Sequence, residues 1–128
     1  MLGVGSMPRS RRSAKKAGAA FERLVADYLA GVLDDRIDRR VKTGAADKGD
    51  IGGVRDSYGR RVVVECKDSS RMELPAWTRE AHSEAANDGA VVGVVVHKRR
   101  GTRNPAEQWV TCTLADLVAL VKGPENAD

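Results

Sequence analysis

The 128-residue chain has only two cysteines, Cys66 and Cys112, far apart and in unrelated surroundings. Zinc and iron–sulfur sites draw on closely spaced sets of cysteines and histidines, so no structural metal cage of that kind is expected. Aromatic residues make up 4% of the chain, too few for the stacking platforms that hold single-stranded nucleic acid. The longest uninterrupted apolar stretch runs only from Ala90 to Val96, far short of the roughly 20 residues that a membrane span requires. The basic beginning of the chain has no apolar segment behind it. Neither a span nor a secretory signal is therefore expected, no membrane partner is expected, and the surroundings read as reduced and cytoplasmic.

What is present suits a single globular domain. Hydrophobic residues are 41% and charged residues 31% of the chain, and the length matches the roughly 100–150 residues of one common domain. Lysine and arginine total 22 against 18 acids, a formal charge of +4. The excess is clustered: Arg9, Arg11, Arg12, Lys15 and Lys16 come first, then Arg36, Arg39, Arg40 and Lys42, then Lys98, Arg99, Arg100 and Arg103. Three such groups in a short chain point to a polyanionic partner, because cations that neutralise phosphates release condensed counterions.

Residues 1–13 are rich in Gly, Ser, Pro and Arg without a hydrophobic period and read as a flexible basic arm. Behind it, Ala17, Ala20, Phe21, Leu24, Val25, Tyr28, Leu29 and Val32 recur on one helical face until Gly31 and Asp34-Asp35 weaken the pattern. Arg36 to Lys42 alternates as a first strand with Ile37 and Val41 inward, and 43–49 is a polar loop. Asp50 opens a second strand, and the turn residues Asp56-Ser57-Tyr58-Gly59 join it to a third over Arg60 to Lys67. Pro75 suits the first turn of a helix that stops at Asn87-Asp88-Gly89, and Ala90 to Val96 follows as a strand. Strand, helix and strand form a crossover unit whose two strands should lie parallel. Gln108 to Cys112 gives a last strand, and Thr113 with Asp116 caps a helix through Leu117, Leu120 and Val121. The order is α-β-β-β-α-β-β-α, one domain over 14–122 with a short tail at 123–128.

In the strand Val63-Val64-Glu65-Cys66-Lys67, alternation places Glu65 and Lys67 on one face and Val64 and Cys66 on the other. Pairing the hairpin symmetrically about Ser57 and Tyr58 sets Asp50 opposite Glu65, with Cβ atoms roughly 4.5–5.5 Å apart. A bulge at Gly59 would shift the pairing by one and bring Cys66 opposite Asp50, and a second bulge at Gly52-Gly53 would restore it. Like charges facing each other destabilise a sheet unless something compensates, and a hard divalent cation such as Mg²⁺ does so. Lys67 supplies the remaining positive charge.

Three pieces in order carry a resemblance: Lys16-Ala17-Gly18-Ala19-Ala20-Phe21-Glu22-Arg23, Thr43-Gly44-Ala45-Ala46-Asp47-Lys48-Gly49-Asp50-Ile51 and Val64-Glu65-Cys66-Lys67. Together they resemble the PD-(D/E)xK nuclease superfamily and, within it, the Holliday junction resolvases of phage and archaeal type. The resemblance spans roughly residues 15–98. It implies an α/β fold with a restriction-endonuclease-like αβββαβ core, a central mixed sheet flanked by helices. It further implies that Asp50 and Glu65 bind Mg²⁺, with Mn²⁺ able to substitute, that the Cys66 carbonyl adds a ligand, and that Lys67 orients or activates the attacking water. Glu22, at the edge of its helix's apolar stripe and without a basic residue three or four positions away, would be a further catalytic and metal-binding acid. The proline that often precedes the family's aspartate is Gly49 here, which loosens the match without removing a chemical group.

The implied activity is metal-dependent endonucleolytic resolution of four-way DNA junctions by a homodimer, water attacking phosphorus to leave 5′-phosphate and 3′-hydroxyl ends. If the strands ending in Lys67 and His97 are parallel, their C-terminal ends share one sheet edge, where open sheets bind ligands. Lys98, Arg99 and Arg100 would then grip the DNA backbone beside the metal, with Arg103, Lys48 and the N-terminal Arg9, Arg11, Arg12, Lys15 and Lys16 as further contacts. Thr43 resembles a small hydroxyl residue that resolvases carry near the active site. His82 and His97 read as structural or exposed, Cys66 as packed, and Trp77 and Trp109 as core or interface anchors. Two alternatives stay open: a repair or restriction-type nuclease acting on linear or damaged DNA, and a catalytically silent DNA-binding member of the fold.

Overall fold

The computed structural model describes residues 10–41 and 44–125. Helix α1, Arg11–Val32, starts on Ser10, whose hydroxyl accepts the Ser13 N–H at 3.0 Å. A serine in this position satisfies one of the orphan amides of the first turn. The helix therefore begins sooner than the composition of the arm indicates, and Arg11 and Arg12 sit on its first turn. Arg9 lies outside the described residues.

Five strands follow: β1 at Asp38–Arg39, β2 at Ile51–Gly52, β3 at Val62–Lys67, β4 at Val92–His97 and β5 at Trp109–Thr111. They lie side by side in chain order, with β1–β2, β2–β3 and β4–β5 antiparallel and β3–β4 parallel. Helix α2, Leu74–Asp88, makes the crossover and ends on Gly89 in the left-handed conformation, and α3 is Leu114–Lys122. The protein is thus α/β, a five-stranded mixed sheet packed against three helices, in the element order that periodicity indicates. No helix among the described residues is long and apolar enough to cross a membrane.

The ends of the elements differ from expectation where the pattern was short. β1 is two residues rather than seven; Ile37 is buried as expected, but Val41 is 86% exposed. An edge strand needs pairing on one side only, so alternation does not fix its length. β2 begins at Ile51 rather than Asp50, β3 at Val62 rather than Arg60, and β4 at Val92 rather than Ala90. At the other end, Gly123 is buried, and a side chain there would meet the Tyr58 ring at 2.7 Å. Ordered packing therefore runs past the boundary expected at 122.

Strand alternation divides the interior in two. Val64, Cys66, Val92 and Val94 face Phe21, Val25 and Ala26 of α1, with Ala119 and Leu120 of α3 packed against the same cluster. On the other face Val95 meets Trp77 and Ala81 of α2. The α2 helix comes so near the sheet that a Cβ on Gly93 would lie 2.3 Å from the Ala81 carbonyl oxygen. Thr113 caps α3 by accepting the Asp116 N–H at 3.1 Å, while Leu114, Leu117, Val118 and Val121 stay exposed along its outer side.

The contact under Ala81 yields a stability prediction. Gly93→Ala forces α2 off the sheet and should cost about 2–3 kcal/mol, read as a lower urea midpoint. Gly31→Ala, at a helical position with open space around it, should move the midpoint upward by about 0.5–1 kcal/mol.

Candidate functional site

The β2–β3 hairpin sets the site. Asp56 organises its turn: one carboxylate oxygen accepts the Tyr58 and Arg60 N–H groups, each at 2.9 Å. Beyond the turn Arg55 pairs with Arg61, and the Val62 N–H donates to the Val54 carbonyl at 3.0 Å. Continued unchanged, that register would bring Cys66 opposite Asp50. Instead Ile51 pairs with Val64, so the first strand takes one more step than its partner, absorbed at Gly52-Gly53. The two slips cancel, and Asp50 comes alongside Glu65.

Gly49 completes the placement. Its φ is +97°, and a Cβ there would approach Val63 Cγ1 to 2.9 Å. Proline, locked near −65°, does not reach this conformation, which accounts locally for the glycine that stands where the resembled family often has proline. The preceding loop is held by Arg40, which donates to the Lys48 carbonyl at 2.6 Å, and by the Asn87 side-chain amide, which donates to the Asp47 carbonyl at 2.8 Å. One Asp50 carboxylate oxygen accepts the Cys66 N–H at 2.8 Å.

Acids gather on the α2 face. Asp50 is 2%, Glu65 3% and Glu84 5% exposed, a degree of burial at which a carboxylate needs a partner. Ligand oxygens of Glu65, Glu80 and Glu84 lie within 4.8 Å of one another. Lys67 Nζ stands 2.6 Å from Glu80 Oε1 and 3.6 Å from Glu65 Oε2. Among the described residues, Asp47 Oδ1, Glu65 Oε1 and Glu84 Oε1 are buried carboxylate oxygens without a hydrogen-bond partner.

Burial first, and then the neighbouring carboxyls of Asp50 and Glu84, push the Glu65 carboxyl far above the ordinary range. Glu84 is raised as well, by burial and by Glu80, Asp47 and Asp50, against a lowering contact with Glu65. Burial works against the Lys67 ammonium, but Glu80, Glu65 and Asp50 outweigh it and hold its pKa above that of an ordinary lysine. The arrangement is an electronegative pocket with the Lys67 ammonium at its rim. Chemically it can bind a hard cation and orient a polar molecule beside Lys67.

Sequence reasoning missed Glu80 and Glu84. A signal existed: Glu84 falls on the α2 stripe of Trp77, Ala81 and Ala85, all buried, where an acid is out of place. Glu22 is not brought into this cluster. It stands on α1, across the sheet, where its carboxylate accepts Arg39 Nη2 at 3.0 Å. No basic residue stands three or four positions from Glu22 along α1, and Arg39 of β1 pairs with it instead.

The parallel β3–β4 pair brings Lys67 and His97 into register, and the Lys98 N–H donates to the Lys67 carbonyl at 3.0 Å. Lys98 and Arg103 line a groove of about 420 Å³ over Phe21 and Leu24 of α1. Arg100 pairs with Asp68 at 3.2 Å, and Arg99 stacks 4.4 Å from the Trp109 ring centre. Arg11, Arg12, Lys15, Lys16 and Lys48 are exposed, while Arg36, Arg39 and Arg40 are engaged by Asp34, Glu22 and Asp88. Thr43 lies outside the described residues. The Cys66 side chain is buried in the α1-side core, and buried His97 donates to or accepts from Thr111 at 2.8 Å, its other ring nitrogen having no hydrogen-bond partner among the described residues.

A carboxyl whose folded pKa lies above its unfolded value is protonated in both states at low pH, and the folded state resists losing that proton as pH rises. With Glu65 and Glu84 both raised, the cluster's contribution to stability falls as pH climbs above about 4.3. In chelator, Glu65→Gln should therefore match the native chain near pH 4 and exceed it by about 1–3 kcal/mol at pH 8, measured by urea unfolding across that range.

Comparison with protein-family models, characterised proteins and solved structures finds no match for this chain, so the functional reading rests on the geometry of the site itself.

Proposed function

We propose that the protein is a metal-dependent DNA endonuclease of the PD-(D/E)xK type that resolves four-way junctions. The observation that carries the reading is the convergence of Asp50, Glu65 and Lys67 at the sheet edge where Lys98 begins the basic β4–β5 loop. Buried carboxylate oxygens without partners match the hard oxygen-donor set of Mg²⁺ or Mn²⁺. Asp50, Glu65 and the Cys66 carbonyl would hold such an ion. Once bound, it supplies Lewis acidity and compensates the clustered negative charge.

The protein's own residues do the rest. Lys67 is held as an ammonium, so it orients the attacking water and offsets charge on phosphate rather than removing a proton. The groove between α1 and the β4–β5 loop offers Lys98 and Arg103 to a phosphate backbone, with Arg11, Arg12, Lys15 and Lys16 extending positive charge along α1. A four-way junction has paired strands to cut, and a two-fold dimer presents two centres to it. The exposed Leu114, Leu117, Val118 and Val121 of α3 are the apolar surface that a second copy would cover. A restriction or repair-type nuclease with the same centre is the second reading, favoured by the modest net charge of +4.

Cleavage of a four-way junction should require Mg²⁺ or Mn²⁺, and Asp50→Ala and Lys67→Ala should each cut at least ~100-fold more slowly while still binding it. Equal cutting of a linear duplex of the same sequence would favour the second reading. No cleavage of any DNA by the unaltered chain would end the enzymatic one. Leu117→Asp should convert a dimer to a monomer in sedimentation equilibrium without shifting the melting curve of the monomeric fold.

A further inference from the structure

The three unpartnered carboxylate oxygens do not all belong to the Asp50–Glu65 position. Glu84 and Asp47, which carry two of them, line a pocket of about 240 Å³ together with Glu80, Ser83 and Asn87, on the α2 side. Glu65 reaches this group, its ligand oxygen lying within 4.8 Å of those of Glu80 and Glu84. Asp50 is committed on the sheet side, where it accepts the Cys66 N–H. The acids thus form two overlapping sets, with Glu65 common to both.

We propose that this second set is a cation site in its own right: Glu84 and Glu80 of α2, with Glu65, hold a divalent ion beside the one at Asp50 and Glu65, in the pocket that Asp47 also lines. The inference deepens the nuclease reading and rests on it for the first ion. Glu84 is the anchor, because it is buried and one of its oxygens is free of protein donors. Glu80 is the outer ligand, more exposed and already in contact with Lys67 Nζ at 2.6 Å. An all-oxygen set of this kind suits Mg²⁺, Mn²⁺ or Ca²⁺ and does not suit softer metals. The pocket has room for the waters that Mg²⁺ and Mn²⁺ retain. Two divalent ions sharing Glu65, together with the Lys67 ammonium that contacts Glu65 and Glu80, carry five positive charges against the five acids Asp47, Asp50, Glu65, Glu80 and Glu84.

The test is calorimetric titration of Mn²⁺ into the full chain, stripped with chelator and free of DNA, with free Mn²⁺ counted by electron paramagnetic resonance. The native chain should bind two equivalents. Glu84→Gln and Asp50→Asn should each bind one, with the lost ion weakened by ~10–100-fold or more. Circular dichroism before titration should show both variants folded, since each removes a buried charge and keeps its volume. A single equivalent in the native chain overturns the second site, as does an unchanged Glu84→Gln stoichiometry and affinity. Loss of all binding in both variants also overturns it, in favour of one shared ion. Because cation counting needs no DNA, failure here is separate from failure of the nuclease reading, which only cleavage decides.

Discussion

The organisation of this protein turns on an unfavourable contact, the burial of several carboxyl groups against one another on the α2 face of the sheet. Few arrangements cost a small domain more, since every charge there is stripped of water and faces others of the same sign. The hairpin, the glycine before Asp50, the close approach of α2 at Gly93 and the backbone N–H given to Asp50 all work to hold the groups where relaxation would separate them. Folds carry such local conflict at working sites and offset it elsewhere in the core. Here the offset is the pair of apolar clusters on either side of β3 and β4.

Much of this was legible in the residues. The shared face of Glu65 and Lys67 follows from strand alternation alone, and the parallel crossover follows from a strand, a helix and a second apolar strand. Asp50 opposite Glu65 follows from symmetric pairing about Ser57-Tyr58, or from a bulge at Gly59 cancelled by a second at Gly52-Gly53, and the structure takes the second course. Glu84 was hidden because glutamate on a helix is ordinary, and only the burial of its neighbours Ala81 and Ala85 marks it as misplaced. β1 was overread because alternation in a basic segment does not distinguish a long strand from two paired residues.

Glu22 shows a different limit. Helical projection put it at the edge of a buried stripe, and it is indeed half-buried, but projection does not say which side of a sheet a helix covers. α1 covers the side of Val64 and Cys66, so the carboxylate meets Arg39 of β1. The middle basic group behaves similarly in part: Arg39 and Arg40 are drawn against Glu22 and the buried Asp88, whereas Arg36 pairs with the nearby Asp34 and its side chain stays 86% exposed. Net charge counted along a chain thus overstates what a ligand meets.

The paired slips in the hairpin make the site depend on odd and even numbers. Losing one residue at Gly52-Gly53 alone would turn Asp50 toward the hydrocarbon core beneath α1, and losing one at Gly59 alone would do the same. Losing both would return it to the acids. Length variation between these strands is therefore tolerable only in compensating steps, whatever happens at the exposed tip around Ser57 and Tyr58.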